Sequence, residues 1–165
     1  MQAQEAELIM RVEDVMTTDV SFCNPGTSAA AASEIMWTRD CGVLPVLEDS
    51  GQVVGVVTDR DLFIALGTQN HNASGLPVGA VMHREPAMCA PDDDVRKALK
   101  TMAQQQVHRL PVIDESGELK GILSMSDVVL QAKSESNGVF KDDVIRTLKA
   151  ICEHRQPAQS KQGVA

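Results

Sequence analysis

The sequence predicts a mixed α/β fold built from two βαββα units in tandem. Three observations carry the expectation. The chain repeats itself at a fixed offset of 66 residues without a gap, so that Pro25 maps to Pro91, Leu44-Pro45-Val46 to Leu110-Pro111-Val112, and Gly55 to Gly121. Val15-Met16, Met36, Ser50-Gly51 and Asp61 find partners at Val81-Met82, Met102, Ser116-Gly117 and Asp127 in the same register. Each copy also carries two short, nearly continuous apolar runs around a glycine-bearing turn, the pattern of a hairpin covered on both faces. Each second run leads into Thr-x-x-Asp or Ser-x-x-Asp, a helix-start signal.

The elements follow in order. Residues 20–23 are a short strand candidate, broken by Pro25-Gly26-Thr27, after which Thr27 or Ser28 caps a helix over about residues 29–39. Residues 43–47 and 52–57 form a hairpin about the turn at 48–51, and Thr58 opens a helix to about Leu66. In the second copy Asp92 or Asp93 caps a helix to about Gln106, residues 109–113 and 119–123 form the hairpin, and Ser124 opens the last helix. The units are therefore expected at 12–67 and 78–132, joined by a polar linker at 68–77. A break at 134–138 precedes a helix over 138–153, on which Val139, Val144, Ile145, Leu148 and Ile151 recur at helical spacing; residues 156–165 are expected to fray. A single unit of this size has a marginal core, which pairing with its copy relieves.

Composition narrows the function. Aromatic residues are 2% of the chain and the formal net charge is -8, so neither a base-stacking surface nor a polyphosphate-binding face is expected and no nucleic-acid partner is assigned. No apolar run reaches the roughly 18 residues of a transmembrane helix, and the acidic start lacks a signal-peptide pattern. The four cysteines, without a CxxC pair, fit reduced thiols in a cytoplasmic protein. His71, His83, His108 and His154 lack metal-ligand spacing, and no nucleophile motif is visible; neither a metal site nor a catalytic site is expected.

The chemistry-bearing pattern is Gly55-Val-Val-Thr58-Asp-Arg-Asp61 with its copy Gly121-Ile-Leu-Ser124-Met-Ser-Asp127. Thr58 with Asp61 and Ser124 with Asp127 fit capping boxes, and helix capping alone accounts for them. The same geometry suits a ligand: helix N-termini present free N–H groups, the Asp carboxylates accept from a ribose diol, and Gly55 and Gly121 leave room for a planar base.

The duplicated Val-Met, Leu-Pro-Val, Gly and [Ser/Thr]-x-x-Asp landmarks resemble a cystathionine β-synthase (CBS) domain pair, or Bateman module, over about residues 12–132. The resemblance implies two clefts between pseudo-twofold-related repeats, a frequent homodimer, and a non-catalytic regulatory module that signals to a partner. It implies an adenosine ligand, AMP, ADP, ATP or S-adenosylmethionine, with Asp61 and Asp127 on the ribose beside Thr58 and Ser124. It further implies His108 and Arg109, with Arg60 as a second candidate, on phosphate, and Val20, Ser21, Pro86 and Ala87 along the adenine pocket. The competing expectation is a ligand-independent dimerisation scaffold that docks partners through the helix at 139–152.

Overall fold

The computed structural model describes residues 9–131 and 138–153; residues 134–137 of the break expected at 134–138, His154 and the tail at 156–165 lie outside these residues, and Gly138 already belongs to a helix. Strands β1 (Val43–Leu47) and β2 (Val53–Thr58) pair antiparallel, and β4 (Arg109–Ile113) and β5 (Leu119–Ser124) repeat that hairpin. The register is copied residue for residue: Val43 faces Thr58 as Arg109 faces Ser124, and each ladder shifts after the equivalent Val46 or Val112. Both turns close on a glycine with φ of +84°, at Gly51 and Gly117, where a side chain is disfavoured. Leu44, Pro45, Val46 and Leu47 are all buried, as the unbroken apolar run implies for a strand covered on both faces.

Helices α1 (Ala29–Thr38), α2 (Asp59–Gln69), α3 (Val95–Gln105) and α4 (Met125–Gln131) flank the hairpins. Ser28 caps α1, accepting from the Ala31 N–H at 3.2 Å. The cap of α3 is Asp94, whose carboxylate accepts from Arg96 N–H at 2.8 Å, and not Asp92 or Asp93. Asp93 is engaged one step earlier, accepting from Ala90 N–H at 3.0 Å and from Lys97 Nζ at 2.6 Å. Helix α2 also outruns its expected end at Leu66: Gly67 costs about 1 kcal/mol in a helix without ending it, and the turn stops only at Asn70, with φ of +51°.

The first strand of each unit shrinks to one paired residue. Cys23 bridges Val46 in parallel and Cys89 bridges Val112. Downstream, the Asn24 N–H is taken by Thr27 Oγ1 as the chain turns at Pro25; upstream, Val20 and Ser21 peel away towards the space between the repeats. Val20, Ser21, Pro86 and Ala87 are therefore not on strands.

The segments leading into the two units are exchanged. Val12, fully buried in the one-turn helix Val12–Asp14, sits in the second repeat's core with Leu99, Met102, Leu110 and Leu123; its N–H donates to Asp93 O at 2.9 Å. Leu76, Val78 and Met82 fill the first core beside Ala32, Leu44 and Val57. Each segment then adds to the opposite hairpin: Thr17 pairs with Ile122, and β3 (His83–Arg84) pairs with Val56 and Gly55. This exchange decides the role of the two glycines. A Cβ on Gly55 would lie 2.8 Å from His83 O and 2.9 Å from Met82 Sδ; on Gly121 it would lie 2.7 Å from Thr17 O and 2.8 Å from Met16 Sδ. The space the sequence reading reserved for a planar base is filled by backbone. Gly55→Ala and Gly121→Ala are each expected to cost about 1–3 kcal/mol in denaturant unfolding, because a ladder strand must shift to admit the methyl group.

Helix α5 (Gly138–Cys152) packs on α3. Phe140, Val144 and Ile151 are buried there, while Ile145 points out, 51% exposed. Gln106 Nε2 donates to Ala150 O at 3.0 Å, and Arg96 pairs with Asp143 at 3.6 Å. The apolar face expected to dock a partner is thus used within the chain.

Candidate functional site

The repeat places a Ser/Thr-x-x-Asp box where each second hairpin strand enters a helix. At the head of α2, Asp61 Oδ2 accepts from Thr58 N–H at 2.9 Å and from its hydroxyl at 2.6 Å, while Asp61 N–H donates back to Thr58 Oγ1 at 3.2 Å. Ser124 and Asp127 repeat the arrangement at 3.0, 2.6 and 3.1 Å. Capping therefore accounts for one oxygen of each carboxylate. The other oxygen, Oδ1, is what remains for chemistry.

The two remainders differ. Asp127 Oδ1 has no hydrogen-bond partner among the described residues, and Asp127 lines a cleft of about 470 Å³ between the repeats. Of the sequence-predicted residues, the cleft gathers Val20, Ser21, Arg109, Ser124 and Asp127. Its walls add Val43 and Ile122, which give aliphatic surface, and Arg39, Asp40 and Cys41 from the end of α1. Arg39 was missed by sequence reasoning because it lies at a helix end outside the motif. Its Nη2 donates to Asp19 Oδ1 at 2.8 Å, and both residues line the cleft. Arg39 and Arg109 thus line the same cleft as one open carboxylate oxygen, a combination suited to a polar ligand carrying both hydroxyl and anionic groups.

The first-copy set is arranged differently. Asp61 Oδ1 lies 3.0 Å from Nε2 of His83, a residue the sequence reading weighed only as a metal ligand. Arg60 is exposed on the first turn of α2, and its N–H is taken by Asp59 Oδ1 at 2.7 Å. Pro86 and Ala87 are half-buried, and Ala87 packs against the second core. His108 is exposed and does not line the Asp127 cleft; its part there is a backbone one, its carbonyl accepting from Met125 N–H at 2.9 Å and so fixing where α4 begins.

The cysteines divide by burial. Burial pushes the Cys23 thiol up to about 11, and burial reinforced by the Asp93 carboxylate pushes Cys89 up to about 12. Cys41 is half-buried in the cleft wall and Cys152 is exposed. Among the described residues, no three His, Cys, Asp or Glu side chains gather as a metal site, and no helix is long and apolar enough to cross a membrane.

Comparison with known proteins adds family to geometry. Residues 12–68 and 78–133 each match the CBS domain family. The chain is 34% identical over 128 residues to the CBS domain-containing protein YhcV of Bacillus subtilis, covering 77% of this chain and 89% of that one. It is 31% identical over 134 residues to inosine-5'-monophosphate dehydrogenase of Thermoplasma acidophilum; that match takes in 79% of this chain but 26% of the enzyme. Among solved structures, CBSX2, a CBS-pair protein of Arabidopsis thaliana solved in complex with AMP, superposes with a TM-score of 0.67 at 28% identity, over 74% of this chain and 95% of that one. Two family matches in tandem on two interlocked βαββα units carry one conclusion: the chain belongs to the CBS domain family, as a CBS domain pair.

Proposed function

We propose that this CBS pair is a non-catalytic sensor that binds an adenosine nucleotide in the cleft at Asp127 and signals by a change in the packing of its repeats. The observation that carries the reading is the 470 Å³ cleft itself, in which the unpaired Asp127 Oδ1 stands with Arg39 and Arg109 between aliphatic walls. Asp127 takes a ribose hydroxyl, and Val20, Val43 and Ile122 supply the apolar surface a purine needs where aromatics are lacking. The guanidiniums meet phosphate, which favours AMP, ADP or ATP over S-adenosylmethionine. The complex of CBSX2 with AMP supports this ligand class.

Two readouts test it. A thermal-shift and calorimetry panel of AMP, ADP, ATP, S-adenosylmethionine and NADH is expected to give stabilisation by a nucleotide, about 2.7 kcal/mol at 100 times its Kd. Thiol alkylation at neutral pH is expected to label Cys41 and Cys152 and spare Cys23 and Cys89, whose thiolates are scarce; bound nucleotide should then protect Cys41 alone. No shift with any of these ligands at millimolar concentration, and no protection of Cys41, would discard the reading.

A homodimer is the second part of the proposal. Phe63 and Ile64 on α2 are 78% and 46% exposed, and their repeat equivalents Val129 and Leu130 on α4 are 44% and 81% exposed. Exposed apolar pairs in equivalent places on two helices suit a self-complementary interface. Phe63→Asp combined with Leu130→Asp is expected to yield a folded monomer in sedimentation-velocity runs.

A further inference from the structure

The two halves of the pair differ in the residue that faces the middle of each second hairpin strand, His83 in one and Thr17 in the other. His83 on β3 faces Val56 on β2. Side chains two apart on a strand share a face, so a residue opposite Val56 is the diagonal neighbour of Thr58. That register delivers the imidazole to the capping box, with Nε2 at 3.0 Å from Asp61 Oδ1. Thr58 already fills Oδ2, so both oxygens of Asp61 are engaged within the chain. In the other half the residue facing Ile122 is Thr17, with no imidazole to offer, and Asp127 Oδ1 stays open. His83 is 67% exposed at its side chain while Asp61 is 18% exposed. The imidazole therefore approaches the carboxylate from the solvent side and can swing away without disturbing the core.

We infer that His83 is the residue that makes the two ligand positions unequal: it occupies the Asp61 oxygen a ligand hydroxyl needs and competes with the ligand for it. The inference rests on the reading of the Ser/Thr-x-x-Asp boxes as ligand hooks. Nucleotide fills the Asp127 cleft first, and the Asp61 position takes ligand only when His83 turns out. An exposed pair of this kind contributes little, so the handicap it sets is about 5-fold in affinity.

The test uses AMP as probe and the residue of the opposite half as substitute. In an Asp127→Ala background, which leaves only the Asp61 position, His83→Thr is expected to tighten AMP binding about 5-fold. In an Asp61→Ala background the same change should leave AMP affinity unaltered. Unchanged or weaker AMP binding on adding His83→Thr to Asp127→Ala overturns the inference and leaves the Asp127 site standing. Absence of AMP binding to the wild-type protein and every variant overturns the ligand reading of both positions. A measurement on the unmutated chain guards against a folding defect in Asp127→Ala. The ring resonances of His83 are expected to move only in the second, weaker phase of an AMP titration followed by NMR; movement in the first phase overturns the inference.

Discussion

Val12→Asp is expected to remove about 3–5 kcal/mol of stability, read as a lowered urea midpoint, whereas Ile9→Asp three residues earlier should stay within about 0.5 kcal/mol. Val12 is fully buried in the second repeat's core, and its N–H is already spent on Asp93 O. A carboxylate there has no partner among the apolar side chains around it. It must stay protonated at a cost, or pull the segment out and leave Leu99, Met102 and Leu123 uncovered. Ile9 is 68% exposed and outside that core, which makes it a control for added charge near the same terminus. A small domain holds only about 5–15 kcal/mol in total, so the loss is a large share of it. The expectation is sharp because Val12 opens the first repeat in sequence yet seals the core of the second. If the two units instead folded with their own leading segments, Val12→Asp would spare the second hairpin in hydrogen exchange, and that pattern would contradict the exchanged arrangement.

This exchange marks where the sequence stopped being legible. The 66-residue offset located the hairpins, their glycine turns and the helices after them, because those features depend on neighbours close in the chain. Nothing local distinguishes an entry segment that serves its own repeat from one that serves the other. That choice is made by tertiary packing of Val12 and Val78, equivalent residues filling opposite cores. Nothing local places Trp37 either: it is 89% exposed while Met36 beside it is buried. The boxes at Thr58 and Ser124 were visible as patterns, and the capping they imply is present; the second oxygen is open among the described residues at Asp127 and taken by His83 at Asp61. The position of His83 was not visible: it depends on the strand register that sets it opposite Val56, 27 residues earlier in the chain. Arg109 was found through its neighbours in the motif, whereas Arg39 reaches the cleft from a helix end that no motif covers.

The paired variants Asp61→Ala and Asp127→Ala separate the two jobs of the box. Each removes the same cap, since each aspartate accepts from the N–H and hydroxyl of the residue three before it. Both should therefore destabilise the fold by a similar amount, about 1 kcal/mol. Their effects on nucleotide should not match. Asp127→Ala deletes the open oxygen in the cleft with Arg39 and Arg109, and a hydrogen bond to a charged group is worth about 1.5–3 kcal/mol. Calorimetry on this variant is accordingly expected to show the first binding phase weakened by about 10- to 150-fold. Asp61→Ala should leave that phase nearly untouched, because its carboxylate is engaged by Thr58 and His83 and lies in the other half of the pair. Equal losses of affinity in the two variants would mean that ligand reports on fold stability and not on a hook. Unaltered affinity in both would mean that the boxes only cap helices. A large loss in one variant against equal stability losses in both is the outcome that assigns Asp127 to the ligand.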